Sequence, residues 1–301
     1  MDKKCSVFVA GGASWDAIID LDELPVPEPG SLFARHYHEV VGGTGAGKAL
    51  NLERLGFNVL LHVVLGQDDW GDKIQQRFRR TSVQLLTDID PKGTERHTNI
   101  MDRDGRRMSI YTHAASERPG IDPDHLAKAM LHADYVVINI INYCRRLIPF
   151  AKQLDKPIWC DLHDYDGCNP YHQDFVDAAD FVFLSNDKLP DPKPLMEALI
   201  AKGKQLVVCT QGKDGAVALT GDGQWYQVAA QANVDVTDCN GAGDAFFSGY
   251  LFAYHQGFEP LVCLQIASKV AACCVGSSEL VDEALTPELA SQGFLSATPI
   301  T

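Results

Sequence analysis

The residues with the most chemistry in them lie toward the carboxyl end, in VDVTDCNGAGDAFFSGYLFAYHQG, residues 234–257. Asp238-Cys239-Asn240 runs into Gly241-Ala242-Gly243, and then into a stretch whose Ala245, Phe246, Phe247, Leu251 and Phe252 read as a buried helix. Small residues at a helix start leave the first-turn N–H groups unobstructed, and those donors with the helix dipole form an anion site. Asp244 falls in that first turn. It is either a carboxylate that favours the helix start or a base beside an anion cradle; only the second role needs three small residues before it. A base that accepts a hydroxyl proton, next to N–H groups that hold phosphoryl oxygens, is what phosphoryl transfer to an alcohol requires.

A second cluster, Gly42-Gly43-Thr44-Gly45-Ala46-Gly47-Lys48-Ala49, admits three readings. It has most of GxxxxGK[ST], but Ala49 stands where a phosphate loop needs a hydroxyl for Mg²⁺. It is also a plausible turn into a helix, and its glycines would let a backbone approach a small polar ligand closely. Cys160, His163, Cys168 and His172 are the nearest thing to a metal set, and their spacing fits no standard zinc site. Cys239 adjoins the candidate anion turn either as a thiol activated by the helix start or as an inert filler.

Positioning such groups needs a sizeable scaffold. The 301 residues are 46% hydrophobic and 22% charged, an ordinary globular composition that excludes disordered, collagen-like and small disulfide-scaffold classes. A net charge of −14 disfavours nucleic acid and anionic membranes as partners. Nine cysteines without a CxxC, no signal-peptide pattern and no apolar run near the ~20 residues of a membrane span predict a cytoplasmic protein with reduced thiols.

CSVFVAGG reads as a buried strand, LFARHYHEVV as a strand with one wet face, and KALNLERLG as a helix whose stripe is Ala49, Leu52 and Leu55 and whose end is Gly56. VLLHVVLG is another buried strand. Asp104-Gly105 between polar, alternating runs predicts a hairpin projecting from the main sheet. From residue 122 to 210 helices and strands alternate: DPDHLAKAMLHA, YVVINII, RLIPFAKQL, PIWCDL, YHQDFVDAA, FVFLS, KPLMEALIAKG, QLVVCT. That alternation makes βαβ units and a parallel sheet. The expectation is one α/β domain with a small β lid.

DxxGAGDAF near the carboxyl end, with GG before a helix ending LG near the amino end, resembles the two signatures of the ribokinase-like (PfkB) family of sugar and nucleoside kinases. The likeness covers nearly the whole chain. It implies a three-layer α/β/α fold with a mainly parallel central sheet, in one kinase domain over residues 1–301. Lid segments would be inserted at about 13–40 and 94–114. By the same resemblance Asp244 is the catalytic base and Gly241, Ala242 and Gly243 are the anion hole. Asn186, Thr210, Gly212, Lys213 and Gly215 would sit beside ATP. Asp16, Gly42, Gly43 and Thr44 would meet the acceptor, and Asp238 and Asn240 would hold a monovalent cation such as K⁺; Asn139 and Asn142, at the end of a strand, either add contacts to acceptor hydroxyls or only satisfy strand-end backbone groups. Leu189 stands where the family has the Glu of a metal-linked Asn-x-x-Glu, so Mg²⁺ would rely on Asp187 or on ATP and water. Thr44 and Gly47 replace the Lys and Asn of ribokinases proper.

The function so implied is ATP-dependent phosphorylation of a primary hydroxyl on a sugar or sugar derivative, with a nucleoside as the alternative acceptor. Lids of this family often pair into a dimer clasp, which makes a homodimer a candidate. Two other classes compete with this reading. A non-catalytic binding protein of the same fold has only Leu189 in its favour, and a dehydrogenase lacks G-x-G-x-x-G after its first strand.

Overall fold

Strands apolar at every position can be buried on both faces only inside a sheet covered by helices. That rule governs the architecture of the computed structural model, which describes residues 4–103, 106–232, 234, 239–277 and 279–294. The strands are β1 (Ser6–Ala10), β2 (Ser14–Asp20), β3 (His36–Gly42), β4 (Asn58–Leu65), β5 (Gln84–Ile89), β6 (Arg96–Met101), β7 (Arg107–His113), β8 (Tyr135–Ile138), β9 (Ile158–Asp161), β10 (Phe181–Ser185), β11 (Leu206–Thr210), β12 (Ala216–Thr220) and β13 (Trp225–Val228). The helices are α1 (Thr44–Arg54), α2 (Asp69–Phe78), α3 (Pro123–Leu131), α4 (Ile148–Gln153), α5 (Gln173–Ala178), α6 (Lys193–Ala201), α7 (Ala242–His255), α8 (Pro260–Val275) and α9 (Pro287–Ser291).

Among the described residues, nine strands form one sheet in the order β13-β12-β11-β10-β9-β8-β1-β4-β5. It is parallel from β5 to β11, and β12 and β13 extend it antiparallel at one edge. Successive strand side chains alternate between faces. Val7 and Val9 therefore join a core cluster with α1, α2, α7 and α8, while Phe8 and Ala10 join another with α3, α5 and α6. Helices thus cover both faces, giving three layers.

The chain order reverses between β1 and β8, and in open α/β sheets such a switch point places the ligand crevice beyond the strands' carboxyl ends. Asn139, Asp161, Asn186 and Thr210 stand at or just beyond the carboxyl ends of β8, β9, β10 and β11.

A second sheet, β3-β2-β6-β7, is built from residues 14–42 and 96–113. On one face Asp16 pairs in register with His97, and His97 with Tyr111. On the other face Tyr37, Met108 and Ile110 are exposed.

Several boundaries differ from those read in the sequence. β2 was not anticipated: SWDAIID is only half buried and directly follows glycines, so no strong period marks it. β3 starts at His36 instead of Leu32, because residues 32–35 are exposed and the register shared with β2 ends at Asp20↔His36, with only the Arg35 N–H reaching back to the Asp20 carbonyl. RLIPFAKQL is split between a 3₁₀ stretch, Asn142–Leu147, and α4. α1 begins at Thr44, inside the glycine cluster, because Gly45 lets the helix start press on the β1–β2 turn, where the Ala46 N–H donates to the Gly12 carbonyl at 2.7 Å. The Asp104-Gly105 turn lies outside the described residues, though β6 and β7 pair from Met101↔Arg107.

Candidate active site

The starts of α1 and α7 meet above the β1–β8 switch point. Asp244, in the first turn of α7, is 9% exposed. Its Oδ1 accepts from the Thr44 hydroxyl at 2.7 Å and from Lys48 Nζ at 2.5 Å. Its Oδ2 accepts no hydrogen bond among the described residues. Gly47 is the reason that this oxygen stays open, since a Cβ there would lie 2.6 Å from Oδ2. Asn139 Oδ1 lies 3.3 Å from the Thr44 hydroxyl, and its amide nitrogen donates to the carbonyls of Ala10 and Gly11, tying off β1.

Lys48 is fully buried and also reaches Asp161 Oδ2 at 3.1 Å. Burial acts against the ammonium, but the carboxylates of Asp244 and Asp161 outweigh it and raise the lysine's pKa above the usual value. Asp161 is the converse: burial favours its neutral acid, yet His163 and Lys48 hold it ionised, with a pKa below the usual carboxylate value. The phosphate-loop reading of residues 42–49 is therefore not what the chain builds, because Lys48 faces two carboxylates. Asp161 was not picked out in the sequence, and Lys48 stood there only as the lysine of a phosphate-loop pattern.

At the start of α7, Gly241 adopts φ 81°, the left-handed conformation that favours glycine. The Ala242 N–H turns back to the Cys239 carbonyl at 3.3 Å. The N–H groups of Gly243 and Asp244 donate to no backbone or side-chain group among the described residues, and the space beside Gly243 is open. Two unpaired donors at a 14-residue helix start suit an anion. The Cys239 side chain packs against Ile18, Val40 and Met101 of the small sheet, as an apolar filler would. Asn240 Oδ1 accepts from Arg107 of β7 at 2.8 Å, so the small sheet is tied to the turn that opens α7. Asp238 lies outside the described residues.

Asp16 is 3% exposed and faces the same region from β2. Its Oδ1 accepts from Ser14 at 2.6 Å and its Oδ2 from Asn99 at 3.0 Å, and a Cβ at Gly42 would overlap the carboxylate. His97 stands between Asp16 and Glu95, with Nδ1 3.4 Å and Nε2 2.8 Å from their oxygens. Burial disfavours its charge, but hydrogen bonds and attraction from the two carboxylates prevail and lift the pKa to about 9. Folding stability from this imidazolium is fully present below about pH 6.5 and is lost as pH rises through about 9. His97→Gln should melt below the native chain at low pH by up to about 3 kcal/mol, and the gap should close toward alkaline pH. Thermal melts of both proteins across that range check this; a constant gap excludes it.

On the other side of the crevice Asn186 follows β10, and its N–H donates to the Thr210 carbonyl. Gly212 and Lys213 form a single 3₁₀ turn between β11 and β12, and Gly215 closes it. Leu189 is 9% exposed and belongs to the core, so no carboxylate stands there, while Asp187 accepts from Ser185 Oγ at 2.8 Å. Asn142 is used elsewhere, donating to the Glu117 carbonyl and accepting from Arg145. Cys160 is buried in β9 while Cys168 is exposed. Among the described residues no three His, Cys, Asp or Glu side chains group as a metal cage, and no helix is long and apolar enough to cross a membrane.

The description "pfkB family carbohydrate kinase" matches residues 6–286. The acarbose 7(IV)-phosphotransferase of Actinoplanes sp. is 33% identical over 277 residues, 90% of this chain and 92% of that one. A nucleoside kinase of Methanothermobacter thermautotrophicus is 25% identical over 91% of each chain. Among solved structures, a microbiome-derived acarbose kinase superposes with a TM-score of 0.81 at 28% identity, over 91% of this chain and 94% of that one. An Arabidopsis thaliana ribokinase complexed with ribose and ATP shares the fold, with a TM-score of 0.78 at 18% identity over 96% and 98%.

Proposed function

The chain belongs to the pfkB family of carbohydrate kinases, and from that premise we propose that it transfers the γ-phosphoryl group of ATP to a primary hydroxyl of a sugar derivative, with Asp244 as the base. The observation that carries this reading is the open Oδ2 of Asp244 beside the unpaired N–H groups of Gly243 and Asp244. The acceptor O–H bond breaks as its proton passes to Oδ2. The oxygen bonds to the γ-phosphorus, and the N–H groups hold the charged phosphoryl oxygens while ADP leaves. The turn from Thr210 to Gly215 and Asn186 line the side from which ATP would enter. Mg²⁺ keeps much of its water and commonly binds through phosphates and one or two carboxylates. That suits a site where Leu189 offers no ligand and Asp187 is the carboxylate beside the turn.

Asp16, held by Ser14, Asn99 and His97, would receive acceptor hydroxyls from the small sheet, which acts as the lid. Acarbose and related amino-sugar glycosides are the first acceptors to try, given the Actinoplanes relative. Nucleosides are the second, given the Methanothermobacter relative. The exposed Tyr37, Met108 and Ile110 on the lid's outer face form the surface on which two copies would pair, and sedimentation as a monomer excludes that pairing. The direct test is ADP release with Mg-ATP over a panel of glycosides, free sugars, sugar acids and nucleosides. Turnover on a sugar derivative is expected; turnover on nucleosides alone would replace the reading, and none on any acceptor would favour a binding protein.

A further inference from the structure

We infer that Lys48 is a positioning residue for this reaction: it fixes Oδ1 of Asp244 so that Oδ2 is presented to the acceptor hydroxyl. The inference rests on Asp244 being the base.

A lysine ammonium has three donors and no acceptor. All three are spent here, on Thr44 Oγ1 at 2.6 Å, Asp244 Oδ1 at 2.5 Å and Asp161 Oδ2 at 3.1 Å. Helical side chains lean toward the helix start, so Lys48, one turn beyond Thr44, reaches back over it to the site. Filling this space for stability alone would be cheaper with an apolar side chain, since desolvating an ion pair offsets most of its attraction. The arrangement is also asymmetric. Oδ1 receives two donors, from Lys48 and Thr44, while Oδ2 receives none among the described residues. A carboxylate held by one oxygen cannot swing the other away, and the bare backbone at Gly47 leaves that second oxygen its space.

Asp161 completes the device. The groups facing Lys48 are Asp161 from β9, Asp244 from α7, the Thr44 hydroxyl on its own helix and the Phe247 ring at 5.0 Å, with His163 beyond Asp161. Two carboxylates around one ammonium leave a net negative charge. Asp161 thus matches the lysine, and Asp244 keeps a charge with which to take the proton.

The test compares four proteins: Lys48→Met, Lys48→Met with Asp161→Asn, Asp244→Asn, and all three substitutions together. Lys48→Met alone strands Asp161 as a buried unpaired charge and can fail to fold, whereas the variant with Asp161→Asn removes both charges together. In that folded variant kcat should fall by about 10-fold to 10²-fold, with KM for ATP changed by less than about 3-fold, because misplacing a reacting group slows chemistry and leaves nucleotide contacts alone. In the Asp244→Asn background, adding Lys48→Met together with Asp161→Asn should lower kcat no further, since Lys48 acts through Asp244. A native kcat in the folded Lys48→Met/Asp161→Asn variant, or an undiminished effect of that pair of substitutions in the Asp244→Asn background, overturns the inference. A native kcat in Asp244→Asn itself would instead overturn the reading of Asp244 as base.

Discussion

Asp244→Asn is expected to lower kcat by at least about 10²-fold, because an amide cannot take a proton from an alcohol at neutral pH and general-base catalysis supplies roughly 10²–10⁴ in rate. Nucleotide affinity should hardly change, since the candidate donors to phosphate are the backbone N–H groups of residues 243 and 244, which the substitution retains. The surroundings of Asp244 also bear on stability. Taken as a helix-start charge alone, its loss would cost below about 1 kcal/mol. In the fold it also pairs with buried Lys48, but that lysine retains Asp161 at 3.1 Å, and the asparagine oxygen can still accept from Thr44 or Lys48. Removing one carboxylate from a cluster of two carboxylates and one ammonium leaves a neutral pair, so the melting point should move by only a few degrees. Steady-state kinetics with a thermal melt decide the matter. Near-native turnover with a sharply lower melting point would make Asp244 a structural group.

The open N–H groups at the start of α7 were legible in the sequence because they depend on local residues alone. Small residues before an apolar helix need no partner elsewhere in the chain to expose N–H groups, and Asp244 follows them directly. The sheet was legible for a related reason. Strands such as FVFLS and QLVVCT are apolar at nearly every position, a pattern that only a covered parallel sheet buries. Lys48 was not legible in that way. Its partners lie 113 and 196 residues away, at the end of β9 and the start of α7, and nothing in GGTGAGK distinguishes a lysine aimed at carboxylates from one aimed at phosphates. His97 and Arg107 were hidden likewise, since their contacts with Asp16 and Asn240 come from the register of the small sheet and its seat on the turn that opens α7. The signal available was weaker: Thr44 and Lys48, four apart, are polar residues on a helix whose neighbouring positions are almost all apolar or small and buried.

Gly45→Ala sets helix propensity against steric fit, and steric fit should win by a wide margin. Alanine is favoured over glycine inside a helix by about 1 kcal/mol, which alone would make the change stabilising. At this position, however, an added Cβ would lie 1.7 Å from the Gly11 carbonyl oxygen and 2.7 Å from its carbon. Both atoms are backbone of the β1–β2 turn, which is itself held by Asn139, so no flexible side chain can move aside. The start of α1 must back away from the sheet by more than about 1 Å to restore ordinary contact distances. Such overpacking should cost about 3 kcal/mol or more. The same retreat carries Thr44 and Lys48 away from Asp244, so molecules that still fold should turn over about 10²-fold more slowly. Gly120→Ala is the control, because nothing lies within 4 Å of a Cβ there, and it should stay within about 0.5 kcal/mol of the native chain. A Gly45→Ala protein that melts with the native chain and keeps its turnover would mean that the two helix starts are not locked together over the β1–β2 turn, and the close approach on which the whole site depends would be wrong.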